Sequence, residues 1–323
     1  MKLSIGSIHL ENPVILAPMA GVTDAPFRRL AQRFGAGLTV SEMIASKAMV
    51  RAHTKTLRMS SPLDIDAPQA VQIVGCEPEV MADAARMNCD RGARIIDINM
   101  GCPAKKIIRG EAGAALMKDE ALAGRIMESV VRATSVPVSV KMRLGWDDTC
   151  INAPRLAKIA QESGVVLVTV HGRTRAQFYG GQADWDAIGQ VKRAVGIPVI
   201  ANGDVTTLDK AREILDRSGA DGVMIGRGAY GRPWFLGQVA QYLQSGEKPA
   251  EPGTAERLSI LLSHLDDMLD YYGAKVGVPI ARKHIAWYSR GLPGSAEFRS
   301  QLMRLSEAKD VRQSILGFWA AAQ

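Results

Sequence analysis

The sequence predicts a (β/α)8 barrel followed by a small all-helical domain, and three observations carry that reading. Eight short β-rich runs recur between Val14 and Ile225. Segments with helical spacing and helix punctuation lie between most of them. Near Gly246 the rhythm stops, and nothing after it reads as a strand. Eight β-then-α units between Val14 and Gly246 fit a closed barrel, which takes about 250 residues. An open doubly wound sheet is the structural alternative. It calls for a glycine-rich dinucleotide fingerprint after the first strand, and Ala17-Pro-Met-Ala-Gly21 has the wrong spacing for one.

In chain order, Leu3–Ile5 and Ile8–Leu10 flank Gly6-Ser7 and read as a hairpin ahead of the main fold. The β-rich runs are Val14–Ala17, Leu38–Val40, Ala70–Val74, Ile95–Asn99, Val138–Met142, Leu167–His171, Val199–Asn202 and Gly222–Ile225. Thr23-Asp24 with Pro26 starts a helix that runs to about Phe34, before Gly35. Others span Glu77 to about Arg91, Asp119 to Ala133, Asn152 to Ser163, Asp184 to Ala194 and Thr207 to Ser218. The connection over 43–69 is long and less regular. Gly35-Ala-Gly, Gly92-Ala-Arg and Gly219-Ala-Asp repeat one phrase, in which glycine ends a helix and the chain drops into a strand. Lys248-Pro-Ala-Glu-Pro-Gly253 reads as a linker. Helices are expected at Thr254–Tyr272, Pro279–Tyr288, near Ala296–Leu305 and at Ser306–Ala321. The division is therefore a barrel over 1–245 and a helical domain over 246–323.

The net charge is +7, and the excess is uneven. Residues 1–60 carry eight Lys/Arg against three acids, whereas 247–323 carry ten against nine. A mild basic field suits a polyanionic partner or a phosphate-bearing substrate alike. Cys76, Cys89, Cys102 and Cys150 lie far apart with no C-x-x-C pair. Zinc and a disulfide framework are not expected, and a reducing compartment fits. No leader and no membrane-spanning apolar run is evident, so the expectation is a cytoplasmic protein, monomeric and without an obligate protein partner.

Barrel enzymes build their sites at the C-terminal ends of strands. Those ends read Pro18-Met19-Ala20, Glu42, Gln72, Asn99 with Cys102, Lys141 with Arg143, His171 with Arg173, Asn202-Gly203-Asp204, and Gly226-Arg227. The glycines after the seventh and eighth strands suit backbone N–H contacts to a phosphate, although ordinary tight turns would look the same. Lys141 ends an apolar strand and needs an anionic partner or solvent. Gly101-Cys102-Pro103 makes a sharp corner that leaves a thiol at a strand end, followed by Lys105, Lys106 and Arg109. Such a thiol suits proton transfer or nucleophilic work, against the commoner role of a cysteine as core filler.

Ala17-Pro-Met-Ala-Gly-Val-Thr-Asp24, Asp97-Ile-Asn-Met-Gly-Cys-Pro103, His171-Gly-Arg-Thr-Arg175, Ile200-Ala-Asn-Gly-Asp204 and Met224-Ile-Gly-Arg-Gly228 resemble the tRNA-dihydrouridine synthases. The nearest likeness is the bacterial B-type branch, related to a protein named from nitrogen-regulation operons. It extends over nearly the whole chain, including Ile280-Ala-Arg-Lys-His284. The resemblance implies an FMN-binding barrel and a helical domain that together grip tRNA, and an NADPH-dependent reduction of the C5–C6 bond of D-loop uridines. Hydride would pass from flavin N5 to C6, and the Cys102 thiol would give the proton to C5. By the same resemblance Pro18, Met19 and Ala20 line the flavin, and Gln72 and Lys141 bind its ring system. His171, Asn202, Gly203, Asp204, Gly226 and Arg227 would hold the ring or the phosphate, with no metal involved. Asn99 and Arg143 would contact the target base, flipped from its stack. Lys105, Lys106, Arg109, Arg173, Arg175, Arg282 and Lys283 would hold tRNA phosphates.

Two other readings stay open at this point. A flavin barrel for a free pyrimidine, of the dihydroorotate or dihydropyrimidine dehydrogenase type, would share the fold and even the cysteine, but needs no helical domain. A non-catalytic tRNA-binding regulator would not need the full set of flavin and proton-donor positions.

Overall fold

The computed structural model describes residues 3–60 and 67–321. Eight parallel strands close into a barrel: β1 (Val14–Leu16), β2 (Leu38–Val40), β3 (Gln69–Val74), β4 (Ile96–Met100), β5 (Val138–Arg143), β6 (Leu167–His171), β7 (Val199–Asn202) and β8 (Gly222–Ile225). Each strand pairs with the next in sequence, and β8 closes on β1 with Val223 opposite Val14. The fold class is the expected one, and every strand falls within a residue or two of its predicted bounds. A hairpin of Leu3–Ile5 and Ile8–Leu10 plugs the N-terminal end. Its Leu3, Ile5 and Leu10 pack with Ile15, Leu38, Ile95, Leu167 and Ile200 inside the barrel floor.

The outer ring of helices has readable causes. Helix Ala25–Arg33 starts at Asp24, whose carboxylate caps the Phe27 N–H, and has proline in its first turn. Asp119, Asp184 and Thr207 cap the helices Glu120–Ala133, Trp185–Ala194 and Leu208–Ser218 in the same way. The connection after β2, where it is described, adds a two-residue strand, Ile44–Ala45, along β3 and two short helices, Ser46–Val50 and Thr54–Ser60; positions 61–66 of that connection lie outside the described residues. The sequence had also not indicated the hairpin of Gly145–Asp147 and Cys150–Ile151 or the last barrel helix, Phe235–Ser245.

After the left-handed Gly246 come four helices: Thr254–Tyr272, Ala274–Tyr288, Ser295–Leu302 and Ala308–Ala321. The second begins more than a turn before its expected start at Pro279. Proline favours a first turn, but burying Gly277 and Val278 in the bundle outweighs that preference. Leu30 and Trp234, from the barrel, join the bundle's core with Leu261, Ile285 and Trp319. Arg29 pairs with Asp267, and Tyr272 donates to Asp24 Oδ2 at 3.0 Å. Among the described residues no helix is long and apolar enough to cross a membrane.

Barrel closure brings the last barrel helix against the end of the first. A Cβ at Gly237 would lie 1.8 Å from the Phe34 carbonyl oxygen. Helix propensity alone would make Gly237→Ala stabilising by about 1 kcal/mol. The collision with backbone reverses the sign. Thermal unfolding of Gly237→Ala is expected to show a loss of about 2 kcal/mol or more.

Candidate active site

Strand alternation sends every second side chain into the barrel. In β3, β4 and β5 the inward sets are Ala70 and Gln72, Asp97 and Asn99, and Ser139, Lys141 and Arg143, and in β6 and β7 they include His171 and Asn202. Parallel register aligns them in rows. Gln72, Asp97 and Ser139 are direct neighbours. Above them Asn99 lies beside Lys141, and Arg143, His171 and Asn202 form the row at the mouth.

The lowest row is a buried hydrogen-bonded network. Asp97 accepts from Gln72 Nε2 and from Ser139 Oγ, each at 2.6 Å. Burial pushes its carboxyl above the usual range, while the two donors and the nearby Lys141 act the other way. Gln72 Oε1 accepts from Asn99 Nδ2 at 2.7 Å. Asn99 Oδ1 in turn accepts the backbone N–H of Gly101 at 3.2 Å and of Cys102 at 2.9 Å. A backbone N–H can only donate, so both amides have one possible orientation. The relay runs without a break from the Cys102 amide to the core carboxylate.

Two further contacts fix the thiol-bearing corner. Arg143 Nε donates to the Gly101 carbonyl at 2.8 Å, and its Nη1 to Thr174 and Phe178 carbonyls at 2.9 Å. Burial lowers the Arg143 pKa to about 10, so it stays cationic. The Ala114 N–H donates to the Cys102 carbonyl at 3.1 Å, folding the following segment back. Cys102 itself is half-buried.

The opposite wall is cationic. Lys141 Nζ donates to Asn202 Oδ1 at 3.1 Å, and Asn202 Nδ2 to the Met224 carbonyl at 2.8 Å. Burial, then Arg143, lowers the Lys141 pKa to about 8. His171 Nε2 lies 3.3 Å from Arg173 Nη1. Guanidinium has no acceptor, so Nε2 accepts and the ring proton sits on Nδ1. Burial and the cations Lys141, Arg143, Arg173 and Arg227 hold His171 well below its usual pKa, and the ring is neutral. Asp204, despite burial, is kept below the carboxylate range by Arg173, the Ala183 amide and Arg227. A Cβ at Gly203 would fall 2.6 Å from that of Ala183, so bare backbone is required there. Pro18, Met19 and Ala20 turn across the mouth beside Gly226, where a Cβ would lie 3.4 Å from Met19 Sδ.

Three of the expected phosphate contacts are placed otherwise. Arg173 is buried, and its donors go to the Gly180 and Gly181 carbonyls, Asp204 and His171. Arg282 donates to the Leu305 carbonyl and Lys283 to the Gly21 carbonyl. Lys105, Lys106 and Arg109 are exposed at the rim, and Arg175 stacks over Trp146 with 4.4 Å from Cζ to the ring centroid. Asp97 and Ser139 were missed as site residues. The signal was there: each lies two positions before a chosen residue, Asn99 or Lys141, on the same strand face. Replacing Asp97 by alanine strands two buried donors at about 1–3 kcal/mol each. Urea unfolding is expected to show the sum of the two, with Asp97→Asn losing about half because its amide still accepts once.

The dihydrouridine synthase family profile matches residues 15–322. A probable tRNA-dihydrouridine synthase of Rickettsia conorii is 57% identical over 320 residues, covering 99% of this chain and 97% of its own. The tRNA-dihydrouridine synthase B of Pseudomonas aeruginosa is 48% identical over 321 residues, covering 99% and 96%. Morphinone reductase in complex with tetrahydroNAD has a TM-score of 0.51 at 15% identity, covering 80% of this chain and 93% of that one, a likeness of fold alone. With near-full-length matches of this strength added to the Cys102 corner and the strand-end residues around it, the chain belongs to the dihydrouridine synthase family, on its B-type branch.

Proposed function

We propose that the protein is an FMN- and NADPH-dependent tRNA-dihydrouridine synthase that reduces the C5–C6 double bond of a D-loop uridine. The observation that carries this reading is the charge at the barrel mouth. Lys141, Arg143, Arg173 and Arg227 converge around neutral His171, and the carboxylate bonded into that wall is Asp204, which accepts from Arg173 and Arg227. Cations held this close and partly out of water call for an anion. FMN fits that demand twice, through its phosphate and through the ring edge that gains negative charge on reduction.

Lys141, Gln72 and His171 would hold the ring. The bare backbone at Gly203 and Gly226, with Arg227, would hold the phosphate, and Asn202 and Asp204 orient Lys141 and Arg227. Pro18, Met19 and Ala20 line the pocket. The chemistry that FMN held by these residues would supply is hydride for C6, with NADPH as its source. Cys102 supplies the proton for C5: its S–H bond breaks as C5–H forms, and solvent reprotonates the sulfur. Asn99 and Arg143 set where that sulfur stands and wall the base pocket. A uridine inside folded tRNA must leave its stack to enter. Lys105, Lys106, Arg109 and Arg175 would then meet phosphates at the rim, and tRNA affinity should fall steeply with salt. The helical region, 246–323, is assigned to the tRNA grip, and the protein to the cytoplasm as a monomer.

Two outcomes check the assignment. Cys102→Ala should keep its flavin while turnover on tRNA drops by about a hundredfold or more; full turnover would remove Cys102 from the reaction. FMN binding should depend on the Lys141 ammonium. Its lowered pKa means that the free protein loses this proton as pH rises through about 8. FMN affinity should therefore weaken between pH 7 and 9.5, by up to about tenfold per unit, and the slope should vanish in Lys141→Met. Equilibrium dialysis across that range measures both.

A further inference from the structure

Helix Ala274–Tyr288 meets the barrel mouth at two places, and both belong to loops that line the proposed flavin pocket. Lys283 reaches the carbonyl of Gly21, in the loop that carries Pro18, Met19 and Ala20. A Cβ on Gly21 would stand 3.4 Å from the Lys283 Nζ, so the ammonium lies directly over that turn. One helical turn further on, Trp287 lies flat on Tyr230, with centroids 4.0 Å apart and planes 11° from parallel. The next residue, Gly231, has a φ of +68°, and a Cβ there would fall 2.4 Å from the Trp287 carbonyl carbon. Backbone meets backbone at that point, which only glycine allows. Tyr230 and Gly231 complete the loop after β8, the one with Gly226 and Arg227.

Residues 283 and 287 are four apart and share a helix face. That face spans two loops that are neighbours in the barrel, because β8 pairs with β1. The helix is anchored independently of both contacts. His284, between them in sequence, is buried with its ring 5.5 Å from that of Phe27 and 4.9 Å from that of His264. The preceding helix, Thr254–Tyr272, is tied to the barrel too: its Tyr272 holds Asp24, the residue that ends the first loop and caps the first barrel helix.

We infer that Lys283 and Trp287 are positioning residues of the cofactor pocket: helix 274–288 braces the β1 and β8 loops in the spacing that FMN needs. The inference rests on the FMN reading. It gives Lys283 a different employment from the phosphate contact that its place in Arg282-Lys-His284 suggested. It also makes flavin binding and docking of the helical region one coupled equilibrium. By linkage, whatever the brace does for FMN, FMN does for the brace.

The test uses the full-length apoprotein and FMN itself, titrated by quenching of flavin fluorescence. Lys283→Met and Trp287→Ala are expected to weaken FMN binding by about fivefold or more. Trp287→Phe keeps a ring on Tyr230 and should restore most of the affinity. Lys275→Met removes a charge from an exposed position on the same helix and should change nothing. In wild type, adding FMN should slow hydrogen exchange of amides 278–288, and less so in Lys283→Met. Far-UV circular dichroism checks the fold, and if Trp287→Ala fails to fold, Lys283→Met and the exchange experiment decide. A wild type that does not bind FMN overturns the flavin reading and the brace with it. A wild type that binds FMN, with variants that bind as tightly and exchange that FMN leaves untouched, overturns the brace alone.

Discussion

One hydrogen-bond relay fixes the corner that carries Cys102. It starts at a group whose polarity cannot change, the backbone N–H of Cys102. From there the Asn99 and Gln72 amides each have one orientation open to them, Asp97 accepts at the end of the chain, and Ser139 donates to it from the far side. Buried polar networks are costly when a member is unpaired and rigid when all are satisfied. This one is anchored in strands, whose backbone is locked by neighbours on both sides. The cysteine sits on a loop, yet it inherits the rigidity of three strands. The proton-donor role proposed for Cys102 would need that rigidity, because transfer requires the donor within hydrogen-bond reach of one atom.

The second constraint is electrostatic, and it explains residues that do not touch the relay. Four cations around a neutral imidazole would repel one another without help. Arg173 is neutralised by Asp204, and Arg143 is absorbed by backbone carbonyls. Lys141 has a neutral amide for its hydrogen-bond partner, and its lowered pKa records the shortfall. Arg173 therefore serves as a structural strut. It ties the loop after β6 to the loop after β7, and its charge contributes to the field that keeps His171 unprotonated.

How far the sequence could be read followed the range of the interactions. β-rich runs, helix caps and glycine stops are local, and they placed the strands, the plug and most helices within a residue or two. The C-terminal ends of those runs follow with them, so Gln72, Asn99, Lys141, His171 and Asn202 could be chosen without coordinates. Partners could not. Arg173 looks like a rim cation in sequence because its acceptors, at Gly180, Gly181 and Asp204, are supplied by loop conformation. Pro279 looked like a helix start because local preference favours it there, whereas burial of Val278 decided otherwise. Arg282 and Lys283 read as phosphate contacts in sequence, and both donate to backbone carbonyls of the protein itself.

That last point bears on how the two parts of the chain divide the work. All but one of the seven excess positive charges lie in residues 1–246. A helical region with nearly balanced charge adds little to a long-range field, so any polyanion would be drawn first to the barrel. Several of the helical region's contacts run inward, to the β1 loop, the β8 loop and the first barrel helix. Its influence on the reaction then travels through pocket geometry, and a partner that shifts it by a fraction of an ångström is felt at the loops on which the cofactor would rest.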